Sequence, residues 1–196
     1  MNISKTQIEI MKVFVSQITG RFSIRRVSET IKKTYPLVHR SVSNLLQNKI
    51  ILKDEHELLY LNYKNNHPLL SYIEFLRTKD FLEKHRVISL FVKDAMNEMR
   101  QNFFIFLIFG SYAEGKERKD SDVDVLFISN SGESEKILER ISSNFTVKFN
   151  CIFIDEKSAC EMLSKREEIN VMNETINKHI LIFGAENYYG LIKNAR

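Results

Sequence analysis

Apolar side chains recur every three or four positions through the first half of the chain, then gather into short unbroken runs in the second half. Ile8, Met11, Val15 and Ile18 share one side of a helix that Ser4 is placed to cap, that runs to about Gln17, and that Thr19-Gly20 ends. A short helix opens at Ser23 with Ile24, Val27 and Ile31 inward, and Tyr35-Pro36 interrupts it, since a residue before proline avoids the helical region. A third helix is predicted from about Pro36 to Gln47, with Val38, Val42, Leu45 and Leu46 on one side. Ile50-Ile51-Leu52 and Leu58 to Leu61 read as two strands joined by the polar turn Lys53 to Glu57. Asn62 to His67 is polar and reads as a linker. From Pro68 to about Met99 the helical period returns, with a break expected at Thr78-Lys79-Asp80. Phe103 to Phe109 is too short for a typical helix and rich in aromatic and branched residues, so it reads as a strand buried on both faces. Val123 to Ile128 and Thr146 to Ile154 are further strands, separated by a helix over Lys136 to Ser142. Ser158 to about His179 reads as mostly helical, and Ile180 to Phe183 as a last short strand.

Charge divides the chain differently from hydropathy. Residues 1–66 hold 11 Lys and Arg against 5 Asp and Glu, a net +6, while the remainder holds 18 against 20, a net −2. A basic first third suits an anionic polymer, and an acidic remainder suits metal ions. Arg21, Arg25, Arg26, Lys32, Lys33, Arg40 and Lys49 face a single acid, Glu29, in that stretch. The start of the chain lacks the charged and apolar regions of a signal peptide, and no apolar run approaches the roughly 20 residues that cross a bilayer. Cys151 and Cys160 form no metal-type spacing, which fits small fillers in a reducing cytoplasm.

The stretch with chemical content is Phe109 to Ile128, FGSYAEGKERKDSDVDVLFI. A buried strand ends in Gly110-Ser111, a helical-looking turn follows with Gly115, and a basic loop leads to Ser121 and a strand that opens Asp122-Val123-Asp124. Gly110 lets the backbone turn tightly against a ligand, and amides beside Ser111 suit phosphate oxygens. Side chains alternate along a strand, so Asp122 and Asp124 share a face about 6–7 Å apart while Val123 and Val125 face the core. Two such carboxylates repel unless a cation lies between them, and Mg²⁺ prefers a few carboxylates with phosphate oxygens.

Gly110, Ser111, Ala113, Gly115, Ser121, Asp122 and Asp124 fall in register with the motif G-S-x-A-x-G-x-x-x-x-x-S-D-x-D of the polymerase-beta-like nucleotidyltransferase superfamily, which this stretch resembles, most nearly its minimal members. The resemblance implies an α+β protein with a mixed sheet flanked by helices. It also implies Mg²⁺ (or Mn²⁺) on Asp122 and Asp124, and ATP or another nucleoside triphosphate held at Gly110, Ser111, Gly115 and Ser121. A nucleotidyl group, adenylyl by expectation, would pass to an acceptor hydroxyl by two-metal in-line displacement. Two positions depart from the pattern. Glu114 stands where many minimal members have Arg. Asn150 stands where the third catalytic carboxylate is expected, and an amide neither carries charge nor acts as a general base. Asp155, five residues on, faces the other way on a regular strand and reads as a helix cap.

Three helices and a hairpin in some sixty residues is the order of a winged helix-turn-helix. That gives an expected organisation of 1–66 as a DNA-binding winged helix, 67–100 as a helical connector and 101–196 as the nucleotidyltransferase domain. The third helix would present His39, Arg40, Ser43, Asn44 and Gln47 to base edges or phosphates of double-stranded DNA, with Arg25 and Arg26 near phosphates. The acidic hairpin turn does not suit a wing that tracks phosphates. His67, His85 and His179 read as surface or packing residues, and Tyr188-Tyr189 as packing for the C-terminus. Two functions remain open on the residues alone. One is a transferase acting on a protein (toxin) or RNA acceptor, an antitoxin or self-regulator by the resemblance. The other is a DNA-binding transcriptional regulator whose nucleotidyltransferase fold only binds nucleotide or mediates assembly. A homodimer and a cytoplasmic location accompany either reading.

Overall fold

The computed structural model describes residues 3–65, 67–100 and 103–195. Ser4 caps α1 (Lys5–Ser16) through a reciprocal pair of bonds with Gln7. Ser23 caps α2 (Ile24–Thr30) by accepting from the Arg26 amide, and α3 (Tyr35–Gln47) carries Pro36 in its first turn, where a missing N–H costs nothing. Strands β1 (Ile51–Lys53) and β2 (Leu59–Leu61) pair antiparallel, and Phe22 bridges to Leu59 beside them. Asp54 holds the turn by accepting from the His56 and Leu58 amides, and Glu57 takes a positive φ of 62°. Asn66, inside the expected linker, lies outside the described residues.

Two helices follow, α4 (His67–Lys84) and α5 (Arg86–Glu98), broken at His85 rather than at Thr78-Lys79-Asp80. Those three polar residues divide between faces instead of ending the helix. Buried Thr78 donates to the Leu181 carbonyl, while exposed Asp80 pairs with Lys12.

The main sheet has the order β5-β4-β3-β6, built from β3 (Ile105–Phe109), β4 (Val123–Ile128), β5 (Phe149–Ile154) and β6 (His179–Phe183). β3 lies antiparallel to β4 and β6, and β4 parallel to β5, so the sheet is mixed. Every residue of β3 is buried, as its unbroken apolar run predicts, but Phe103 lies outside the strand and is exposed. Between these strands lie α6 (Gly110–Glu114), α7 (Glu133–Ser142), α8 (Glu156–Ser164) and α9 (Val171–Thr175), and α10 (Ala185–Ala195) closes the chain. The stretch from Ser158 to about His179, read as mostly helical, holds α8 and α9, and His179 opens β6. Asp155 caps α8, accepting from the Ser158 amide, which holds its carboxyl below the usual range.

Both faces of the sheet are covered. Phe106, Ile108, Val125 and Phe127 pack against Phe91 and Ala95 of α5 and Leu138 of α7. Leu107, Leu126 and Leu181 pack against α8, α10 and α4. That second core continues without interruption into Ile10, Phe14, Val42 and Leu59, so the first sixty residues share buried surface with the sheet. No helix among the described residues is long and apolar enough to cross a membrane.

Candidate nucleotide and metal site

At the end of β3 the chain turns through Gly110 at φ 68° into the short α6. A Cβ on Gly110 would overlap Oδ2 of Asp124. Glycine is therefore required twice over, for the left-handed backbone and for the approach to a carboxylate. Gly115, at φ 65°, ends α6 with its amide on the Ser111 and Tyr112 carbonyls. Ser121 Oγ accepts from the Arg118 amide, and the Ser121 amide donates to the Arg118 carbonyl, so this serine shapes the loop before Asp122. Val123 and Val125 are fully buried while Asp122 and Asp124 are half-exposed on the opposite face, as the strand period predicts. Replacing Gly110 with Ala is expected to leave a folded chain whose nucleotide affinity falls at least about tenfold, because left-handed backbone costs about 1–2 kcal/mol at a side-chain-bearing residue and Asp124 must also move. Calorimetric titration with Mg²⁺–ATP checks this, and unchanged affinity contradicts it.

The neighbouring strand decides the electrostatics. The parallel register pairs Asp124 with Asn150, whose Nδ2 donates to Asp124 Oδ1 at 3.1 Å. One step earlier, Lys148 Nζ lies 2.6 Å from Asp122 Oδ2, and that hydrogen bond raises the lysine above its ordinary range. Glu114 is clamped by Lys116 at 2.5 Å and Lys178 at 2.7 Å. The hydrogen bond from Lys116, then that from Lys178, holds the carboxyl below the usual range. The departure from Arg at this position is thus neutralised locally. A cleft of about 450 Å³ runs beside α6, lined by Ser16, Gln17, Glu114, Lys116, Asn177 and Lys178. Across it, Asn177 and Thr19 exchange hydrogen bonds and tie the end of α1 to the turn before β6.

Among the described residues, no group of three or more His, Cys, Asp or Glu side chains stands where it could hold a metal ion. Two carboxylates on one face, with glycine backbone against one of them, fit a cation that arrives with phosphate oxygens and water rather than a caged structural metal. Cys151 and Cys160 are half-buried free thiols, and burial pushes Cys151 up to about 11, so neither is a ready ligand.

Behind the site lies a buried polar network that the sequence reading missed. Glu74 of α4 is fully buried. It accepts from Arg77 at 2.6 Å and from the Tyr189 hydroxyl at 2.8 Å, and stands 3.1 Å from His179 Nε2. Arg77 also donates to the His179 carbonyl at 2.7 Å, and His179 Nδ1 stands 2.6 Å from the Thr175 carbonyl. His179 is therefore no surface residue. Its carboxylate partner lies 105 positions earlier in the chain, a separation that local spacing cannot reveal.

On α3, His39, Arg40 and Gln47 are exposed and Ser43 is half-exposed, so these four share an accessible side. Asn44 is exposed but its Oδ1 accepts from Gln7 Nε2 at 2.7 Å, which turns it toward α1. Arg25 and Arg26 are exposed at the start of α2, and Arg25 is paired with Glu29. Arg21 is drawn to the hairpin, where it meets Asp54 at 3.0 Å and lies over Tyr60.

Residues 92–178 match the family model of the nucleotidyltransferase domain. The match takes in β3, α6, β4 and β5, and with them every motif residue from Gly110 to Asn150. No curated protein and no solved structure matches the chain. Domains of this class act on nucleoside triphosphates with divalent metal ions.

Proposed function

We propose that this protein is a metal-dependent nucleotidyltransferase, with ATP as the donor, that carries a DNA-binding winged helix. The observation that supports it most is the contact of Gly110 with the Asp124 carboxylate, on the strand face that also carries Asp122. That contact sets a backbone turn suited to phosphates directly beside two carboxylates suited to Mg²⁺. Asp122 and Asp124 hold the metal, which neutralises phosphate charge when bound. Gly110, Ser111 and the turn to Gly115 receive the triphosphate. The acceptor hydroxyl oxygen forms its bond to the α-phosphorus as the bond to the β-phosphate oxygen breaks, and pyrophosphate leaves. The hydroxyl proton passes to Asp124 or to solvent, because the Asn150 amide cannot take it. The acceptor hydroxyl would be presented by a partner protein, such as a toxin, or by an RNA.

Incubating the protein with α-³²P-labelled nucleotides, Mg²⁺ or Mn²⁺ and host lysate tests this reading. Label on a discrete protein or RNA is the expected result. Nucleotide binding without any labelled acceptor would move the protein to a second reading, which Asn150 and Lys148 favour: a regulator whose nucleotidyltransferase fold senses nucleotide without transferring it.

The order of α1, α2, α3 and the β1–β2 hairpin, with Phe22 bridged to Leu59, supports the winged-helix reading. Arg40 and Arg26 are the cations we assign to DNA phosphates, and a homodimer would present two such surfaces. Arg26→Ala/Arg40→Ala is expected to weaken duplex binding and to flatten the dependence of log affinity on log salt by about 1–2. An unchanged salt slope in a fluorescence-anisotropy titration contradicts the assignment.

A further inference from the structure

We infer that this site takes one divalent cation with its nucleotide, and that Lys148 stands in the place of a second. The inference rests on the nucleotide-binding reading above and concerns how the same site is charged. Lys148 directly precedes β5, and its carbonyl accepts from the Val123 amide at 2.9 Å, which fixes the register of the two strands. Asp122, Asp124, Lys148 and Asn150 thus share one face. Lys148 meets Asp122 at 2.6 Å and Asn150 meets Asp124 at 3.1 Å. Each carboxylate therefore has its own partner on this side, Lys148 just before β5 and Asn150 within it, one cationic and one neutral.

Two divalent cations bound side by side need several anionic oxygens between them. The charged groups of these four residues sum to −1, two carboxylates against one ammonium. Like charges a few ångströms apart cost on the order of several kcal/mol at the dielectric of a protein surface, so an ammonium bound to Asp122 opposes a second cation there. A lone surface ion pair contributes about 0–1 kcal/mol, so Lys148 matters here for what it excludes rather than for stability. Asn150 acts in the same direction. Its amide oxygen is a weak neutral ligand, and its Nδ2 already occupies one oxygen of Asp124. Lys148 is a positioning residue in this scheme, holding Asp122 and supplying fixed positive charge beside the phosphates.

Counting bound Mn²⁺ by electron paramagnetic resonance, with a saturating non-transferable α,β-methylene nucleotide, tests the inference. The wild type is expected to bind one Mn²⁺ per chain, and Lys148→Ala/Asn150→Asp two. Lys148→Met alone is expected to tighten nucleotide-free Mn²⁺ binding at least threefold. Two ions on the nucleotide-bound wild type would overturn this inference and leave the functional proposal standing. Neither ion nor nucleotide on the wild type would overturn both. Lys148 and Asn150 are exposed, and circular dichroism checks that the variants fold; should they not, the wild-type count decides alone.

Discussion

Asp124→Asn is expected to reduce nucleotidyl transfer about 10³-fold or more while leaving the fold intact. Loss of one of the two carboxylates that would hold the metal removes several kcal/mol of charge stabilisation in the transition state, and each 1.36 kcal/mol is a factor of ten in rate. Asn is the informative replacement, because its side-chain oxygen can still accept from Asn150 and its shape still fits against Gly110. The strand beneath it does not depend on the charge, since Val123 and Val125 supply the buried contacts. Relief of repulsion between Asp122 and position 124 should leave thermal stability equal or slightly higher. Label transfer measured beside a melting curve separates the two effects. Transfer within tenfold of wild type would remove Asp124 from the metal site and with it the proposed mechanism.

Much of this site was legible because its chemistry is local. Strand alternation puts Asp122 and Asp124 on one face whatever surrounds them, and the glycine at 110 announces a turn. The register of β4 against β5, which seats Lys148 beside Asp122, comes from tertiary pairing and leaves no trace in spacing, and Asn150 was placed beside the carboxylates only by the resemblance. Helix ends were readable where a side chain caps them, as at Ser4 and Asp155. They were misread at Thr78-Lys79-Asp80, where a buried helical threonine bonded to β6 looks like a polar break. The Glu74 network was missed for a related reason. Glutamate and arginine three residues apart on a helix read as a solvated pair, and only α10 and β6 packing over them reveals their burial.

Glu74→Ala is expected to cost about 3–5 kcal/mol, the penalty for removing one partner of a buried ion pair. At roughly 2–4 °C per kcal/mol for a chain of this size, that lowers the melting temperature by about 6–20 °C. The loss exceeds a single contact because Arg77, His179 and Tyr189 all address this carboxylate. Burial alone would raise its pKa, but the charge of Arg77, then that of His179 and the bonds from His179 and Tyr189, outweigh it, and the net direction is down from 4.5. A carboxyl whose folded pKa lies below its unfolded value binds fewer protons folded than unfolded between the two values, so stability rises with pH across that interval. Its contribution is therefore fully present above about pH 4.5 and is lost as pH falls through the lower, folded value. Melting curves from pH 7 to pH 3 should show the gap between wild type and Glu74→Ala narrowing below that point. The network also anchors the turn that carries Lys178, and Lys178 holds Glu114 on α6. A destabilised Glu74→Ala protein should consequently bind Mg²⁺–ATP more weakly at temperatures where it is still folded. A melting shift under about 1 °C would mean that Glu74 is not the buried anion its contacts with Arg77, His179 and Tyr189 define.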